Sequence, residues 1–195
     1  TIAGPEDGPP ARFLAQPGHN TVSIVDSHHL VIRDLVLEGN NIPVDAVKAE
    51  LKLAKLDVKL NPVTSATRIP LMANGTIDLE CGSTTNNVER QKQIAYPNTH
   101  FRTASRYVSK KASKINAIDD LKGKSVVSTA GTTNIKQLTE ANAARGLNIN
   151  IIPAKDHAEA FLMVETDRAV AFVMDDILLA SLIAGSKAPD DYVIS

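Results

Sequence analysis

The chain has no tryptophan, three tyrosines, four phenylalanines and one cysteine among its 195 residues. With so few aromatics, a pocket in this protein must rely on polar contacts. Neither a basic stripe nor an aromatic platform is present, which argues against nucleic acid as a partner. The lone Cys81 excludes an internal disulfide and a cysteine-based zinc cluster, and leaves the redox compartment open. Charge of one sign is also lacking: acids and bases are interspersed and the net charge is −1. The longest apolar runs, Val170–Met174 and Ile177–Ile183, fall far short of a membrane span. No basic segment followed by an apolar one opens the chain, so a signal peptide is expected to be missing or already removed.

What the chain does have is 43% apolar residues, enough for one domain or two small lobes with their own cores. Residues 1–20 are rich in Gly and Pro and read as loop. Two β-type runs follow, Val22–Val25 and Leu30–Leu37. From Asp45 the pattern alternates. A helix is predicted over Asp45–Leu53, a strand over Leu56–Leu60, and a short helix capped by Thr64 or Ser65 that runs to Ala73 and ends at Gly75. Strands follow at Ile77–Cys81, Thr103–Ser109, Ser125–Ser128, Asn150–Ile152 and Ala169–Met174. Between the later ones come a helical turn at Ile118–Leu121 and helices at Thr133–Arg145, Glu159–Thr166 (capped by Asp156) and Asp176–Ala184. Strands separated by helices of about ten residues imply βαβ units on a mostly parallel sheet.

The richest chemistry lies between Asn74 and Arg90. Gly82 bares backbone groups, Ser83, Thr84 and Thr85 offer hydroxyls, and Arg90 adds a fixed cation. Hydroxyls and carbonyls suit an ammonium, and a guanidinium pairs bidentately with a carboxylate. An amino acid carries both groups on one carbon, so the segment suits a zwitterion. A second candidate is the strand–glycine–helix passage from Ser128 to Asn134. Free N–H groups and the positive helix end suit an anion there, while the plain alternative is an N-cap served by Thr132, Thr133 or Asn134. It is not a P-loop, since the glycine–lysine pattern is absent.

Three smaller candidates remain. His157 enters a helix and is either a donor to a ligand carboxylate or a structural residue. Asp175 and Asp176 close an apolar strand, the edge where open α/β sheets bind ligands; one is expected to cap the next helix and the other to hold an ammonium. Arg68 sits in the first turn of a helix capped by Ser65, a cation at the unfavourable dipole end, so it is either a surface residue or the partner of a ligand anion. His28 and His29 with Asp26 suggest a metal only weakly, because adjacent residues of a strand point to opposite faces.

Five stretches, 63–75, 80–91, 130–133, 154–157 and 168–180, together resemble the solute-binding proteins of polar amino-acid ABC importers (family 3), most closely their periplasmic glutamate/aspartate-binding branch. The resemblance covers residues 45–195. It implies a periplasmic-binding-protein-like (type II) α/β fold of two lobes closing on a ligand. It also implies that Ser83, Thr85 and Asp175 hold the α-amino group and that Arg90 pairs with the α-carboxylate, assisted by Thr132 and Thr133. Ser65, Arg68 and His157 resemble the contacts to a side-chain carboxylate. The implied partners are L-glutamate or L-aspartate and a membrane permease, with a monomeric protein in the periplasm and neither cofactor nor metal.

Residues 1–44 lack the start of lobe 1 that such proteins have and resemble instead a rung of a right-handed parallel β-helix. The expected division is an atypical segment at 1–44, a lobe 1 truncated at both ends at 45–103, a complete lobe 2 at 104–188 and the beginning of a return hinge at 189–195. The rival function is an enzyme, either a polysaccharide-processing β-helix protein or a dehydratase of the periplasmic-binding fold, with Asp175 and His157 as acid and base.

Overall fold

The computed structural model describes residues 59, 61–97, 99 and 101–195, together with the backbones of strands β1 (Arg12–Ala15), β2 (Val22–Val25) and β3 (Leu35–Leu37). The chain falls into two compact units, Thr1–Phe101 and Arg102–Ser195.

In the first unit β1 and β2 form an antiparallel pair, with Arg12 opposite Val25 and Ala15 opposite Val22. The loop expected over residues 1–20 is therefore interrupted at 12–15. The short Arg-Phe-Leu-Ala run, set between Gly/Pro clusters, finds a complementary β-prone partner in Val22–Val25. Strand β3 lies parallel to β4 (Leu79–Cys81), two residues shorter than the predicted Ile77–Cys81 strand. The helix predicted over Asp45–Leu53 lies outside the described residues, as does the Leu56–Leu60 strand except for Lys59, which is in neither helix nor strand.

Helix α1 (Arg68–Ala73) starts later than expected. The carbonyl of Thr64 accepts the N–H groups of both Thr67 and Arg68, so a turn over 65–67 precedes the helix. The N-cap position falls on Thr67, and Ser65 does not cap the helix. Gly75 follows α1 with a φ of 75°, the left-handed backbone that glycine adopts without penalty. A four-residue helix, α2 (Val88–Gln91), was not predicted; Asn87 caps it by accepting the N–H of Arg90 at 2.9 Å.

The second unit is built on a five-stranded sheet of β5 (Ser105–Lys110), β6 (Ser125–Thr129), β7 (Asn150–Ala154), β8 (Ala171–Asp175) and β9 (Tyr192–Ile194), in the order β7-β6-β8-β5-β9. Strands β7, β6 and β8 are mutually parallel, and β5 runs antiparallel to both β8 and β9. Helices α3 (Thr133–Arg145), α4 (His157–Glu165) and α5 (Asp176–Ala184) connect the strands or follow them.

Period-two alternation divides this core. Val127, Phe172 and Met174 pack with Phe161, Val164 and Leu179 on one side. Val126, Ala171 and Val173 pack with Leu138, Leu147 and Leu121 on the other. All five residues of β8 are buried, as expected for a central strand covered on both faces. Helix α3 ends at Gly146 with φ 60°. This architecture brings the carboxyl ends of β6 and β8, Thr129 and Asp175, to the same edge of the sheet, the edge at which β7 leads through Asp156 into His157.

Candidate functional site

In the first unit, Ser65, Arg68 and Arg90 are all buried; Arg68 is only 2% and Arg90 8% exposed. A surface placement for Arg68, its plain alternative, is thereby ruled out. Burial of an arginine requires compensation, because desolvating a charge is costly. Part of it comes from Glu80 in β4: Arg68 Nη1 lies 3.8 Å from Glu80 Oε1, and the Glu80 side chain is itself only 10% exposed. Arg90 Nη1 donates to the carbonyl of Thr85 at 3.1 Å, which folds the hydroxyl-rich segment back over its guanidinium.

The Arg68 guanidinium is close enough to act on that of Arg90. Burial holds the Arg90 group below its ordinary range, the charge of Arg68 adds to that depression, and Tyr96 and Glu80 oppose it. Burial raises the Tyr96 hydroxyl, while the neighbouring arginines pull it down. Gly82, Ser83, Thr84 and Thr85 are half-buried along the segment between Glu80 and α2. The Thr84 hydroxyl oxygen is buried without a hydrogen-bond partner among the described residues.

In the second unit, Thr132 takes the N-cap position of α3, settling the choice left open among Thr132, Thr133 and Asn134. Its hydroxyl accepts the N–H of Ile135 at 3.3 Å and donates to the carbonyl of Thr129 at 2.7 Å. Thr133 opens the helix, half-buried. Asn134 is freed from capping and turns inward. It is 2% exposed, and its amide donates to Asp175 Oδ1 and to Ser105 Oγ, each at 3.0 Å. Antiparallel pairing sets Ser105 opposite Asp175, which is why one amide reaches both.

The two aspartates also separate. Asp175 stands at the N-cap of α5 but makes no side-chain cap bond, whereas Asp176 accepts the N–H of Ile177 at 2.7 Å. Hydrogen bonding from Thr103 is the main cause that holds the Asp176 carboxyl low. Asp175 is thus the carboxylate turned to the buried side, 6% exposed and oriented by Asn134. His157 opens α4 behind Asp156, which caps that helix by accepting the N–H of Glu159 at 2.8 Å. Its ring Nδ1 meets Thr129 Oγ1 at 2.7 Å.

Sequence reasoning did not single out Glu80, Tyr96 or Thr129, and it named Asn134 only as a possible helix cap, not as the partner of Asp175. Only Glu80 left a usable trace, an acid between Leu79 and Cys81 at the end of a β-type run. Among the described residues no cluster of His, Cys, Asp and Glu has the grouping of a metal site; His28, His29 and Asp26 lie outside them.

Comparison with known proteins adds a frame. Residues 40–184 match the family model of the bacterial extracellular solute-binding proteins, family 3. The chain is 56% identical over 151 residues to an L-glutamate/L-aspartate-binding protein of Pseudomonas aeruginosa, a match covering 77% of this chain and 50% of that one. It is 50% identical over 155 residues to the glutamate/aspartate import solute-binding protein of Escherichia coli, covering 80% and 51%. A Salmonella typhimurium protein described in the same words is 43% identical over 206 residues, covering 99% and 68%. The chain thus spans about half to two-thirds of the length of these relatives. Among solved structures, an ancestral arginine-binding protein bound to arginine superposes with a TM-score of 0.72 at 23% identity, over 84% of this chain and 77% of that one. The similarity establishes a shared α/β fold of the type II periplasmic-binding kind. None of these relatives is an enzyme, so the two enzyme readings find no counterpart among them.

Proposed function

The chain belongs to the bacterial extracellular solute-binding proteins, family 3, and from that premise we propose that it carries the amino-acid-recognising groups of an ABC importer's solute-binding component. Its ligand is an acidic amino acid, L-glutamate or L-aspartate. The protein works as a monomer in the periplasm, delivers its ligand to a membrane permease, and catalyses no reaction.

The observation that carries this reading is the pair of buried arginines in the first unit. Arg68 lies close enough to Arg90 to disfavour the Arg90 charge, with Glu80 as the carboxylate beside them. Such an arrangement gains most from a ligand that brings negative charge of its own. Arg90 would take the α-carboxylate, and Arg68 with Ser65 the side-chain carboxylate. Ser83 and Thr85, with the backbone at Gly82, would meet the α-ammonium. The second unit supplies matching chemistry: the Asp175 carboxylate for the ammonium, and the α3 start at Thr132–Thr133 together with His157 for carboxylate oxygens. The names of the Pseudomonas, Escherichia and Salmonella relatives support the same ligand class.

Thermal unfolding in the presence of L-glutamate, L-aspartate, L-glutamine and a uronate sugar tests the reading. A ligand at a hundred times its Kd stabilises by about 2.7 kcal/mol, so the two acidic amino acids should raise Tm and the other two should not. Arg90→Ala should abolish the shift, and retained micromolar affinity in that variant would overturn the carboxylate assignment. A shift with the uronate alone would overturn the ligand class.

A further inference from the structure

We propose that Thr129 is a positioning residue that fixes the proton of His157, so that the imidazole presents an N–H donor at Nε2. Thr129 ends β6 and is fully buried. Its hydroxyl lies 2.7 Å from His157 Nδ1, and this is its only hydrogen-bond partner among the described residues. A hydroxyl has one proton to donate and two lone pairs to accept with. A buried donor left unmade is the more costly omission. If Nδ1 carried the proton, Thr129 would accept from the ring and its own O–H would have nowhere to go. The bond therefore runs from Thr129 Oγ1 to an unprotonated Nδ1, and the neutral ring holds its proton on Nε2.

Both ends of this bond are held by backbone. Thr129 pairs with Ala154 in the parallel register of β6 and β7, and the N–H of Ala130 donates to the Ala154 carbonyl at 2.9 Å. The Thr129 carbonyl accepts the Thr132 hydroxyl at 2.7 Å. On the other side, the Asp156 cap fixes the first turn of α4, where His157 stands. A β-branched side chain has few χ1 choices, so the hydroxyl has little freedom to turn away.

The consequence for specificity rests on the ligand reading given under Proposed function. A ring whose remaining nitrogen, the buried Nε2, is a donor favours a carboxylate or carbonyl oxygen beside it and disfavours an ammonium or guanidinium at the same place. Thr129 would thus select the polarity of the ligand's distal group without touching it.

Nitrogen-15 spectra of the His157 ring in the full 195-residue chain, at about pH 8 where imidazole is neutral, test the assignment. The wild type should show an unprotonated, hydrogen-bonded Nδ1 and a protonated Nε2. In Thr129→Val the Nδ1 resonance should move downfield toward that of an unbonded nitrogen, and Thr129→Ser should restore it. A wild-type ring protonated at Nδ1, or an Nδ1 resonance unmoved by Thr129→Val, overturns the proposal. The wild-type spectrum decides alone if the valine variant does not fold. Calorimetry then reads the consequence: L-glutamate affinity should fall about fivefold in Thr129→Val, the weight of one neutral hydrogen bond, and recover in Thr129→Ser. Spectra as expected without any binding of acidic amino acids uphold the tautomer and refute the ligand class instead.

Discussion

Glu80→Gln isolates the electrostatics of the buried cluster while keeping the shape of the side chain. Glu80 Oε1 stands 3.8 Å from Arg68 Nη1, and the two side chains are 10% and 2% exposed. At an effective dielectric constant of about 20, two unit charges at that separation attract by about 4 kcal/mol. The glutamine carbonyl retains part of this through its dipole, and removing a buried carboxylate relieves part of its desolvation cost. The net destabilisation should therefore be about 2–3 kcal/mol, somewhat below the 3–5 typical of breaking a fully hydrogen-bonded buried pair.

With no tryptophan in the chain, urea unfolding followed by circular dichroism is the suitable assay. Arg68→Met in the Glu80→Gln background completes a double-mutant cycle, and its coupling energy should exceed about 1 kcal/mol. A Glu80→Gln variant within about 0.5 kcal/mol of the wild type, the range of an ordinary surface substitution, would refute the claim that Glu80 compensates the buried guanidiniums. The same substitution should lower the pKa of the adjacent Cys81 thiol, since Glu80 is the second cause of its elevation after burial.

That thiol yields a further prediction, because burial pushes it from its ordinary 9.0 up to about 12. The unfolded chain releases the proton first, so the stability contributed by the neutral buried thiol is whole below pH 9.0 and drains away as pH rises toward about 12, by at most about 1.4 kcal/mol per pH unit. Alkylation of native protein near neutral pH should accordingly be slow and become fast on unfolding; equal rates would refute the burial argument. In the second unit, Phe172→Ala empties a fully buried position of the central strand. It should cost about 3–5 kcal/mol in urea unfolding, and a loss below about 1 kcal/mol would show that the core collapses around the vacancy.

Much of the second unit was legible in the sequence because local and tertiary preferences agree there. The Thr133–Arg145 and Asp176–Ala184 helices occur with the predicted bounds, and Asp156 caps its helix as expected, although that helix starts at His157 rather than Glu159. Each has a terminal signal of its own: a cap, a glycine or an abrupt change of hydrophobic period. The short elements were harder. Helix α2 is only four residues long, too short for any periodicity, and its cap at Asn87 looked like one more polar residue in a loop. The start of α1 was placed too early because Thr64, Ser65 and Thr67 are all good cap residues, and only the turn through the Thr64 carbonyl selects among them.

By itself, the sequence determined the chemistry on offer: hydroxyls beside Arg90, a cation at the head of a short helix, a glycine turn before α3, and aspartates ending an apolar strand. Those are properties of residue types and near neighbours, and they sufficed to indicate the family. Tertiary structure alone decided which groups act on which. Glu80 meets Arg68 across twelve residues, Asn134 meets Asp175 across forty-one, and Thr129 meets His157 across twenty-eight. No local pattern encodes such pairings. They follow from sheet register and helix docking, which set the two partners of each pair within reach and remove the water that would otherwise separate them.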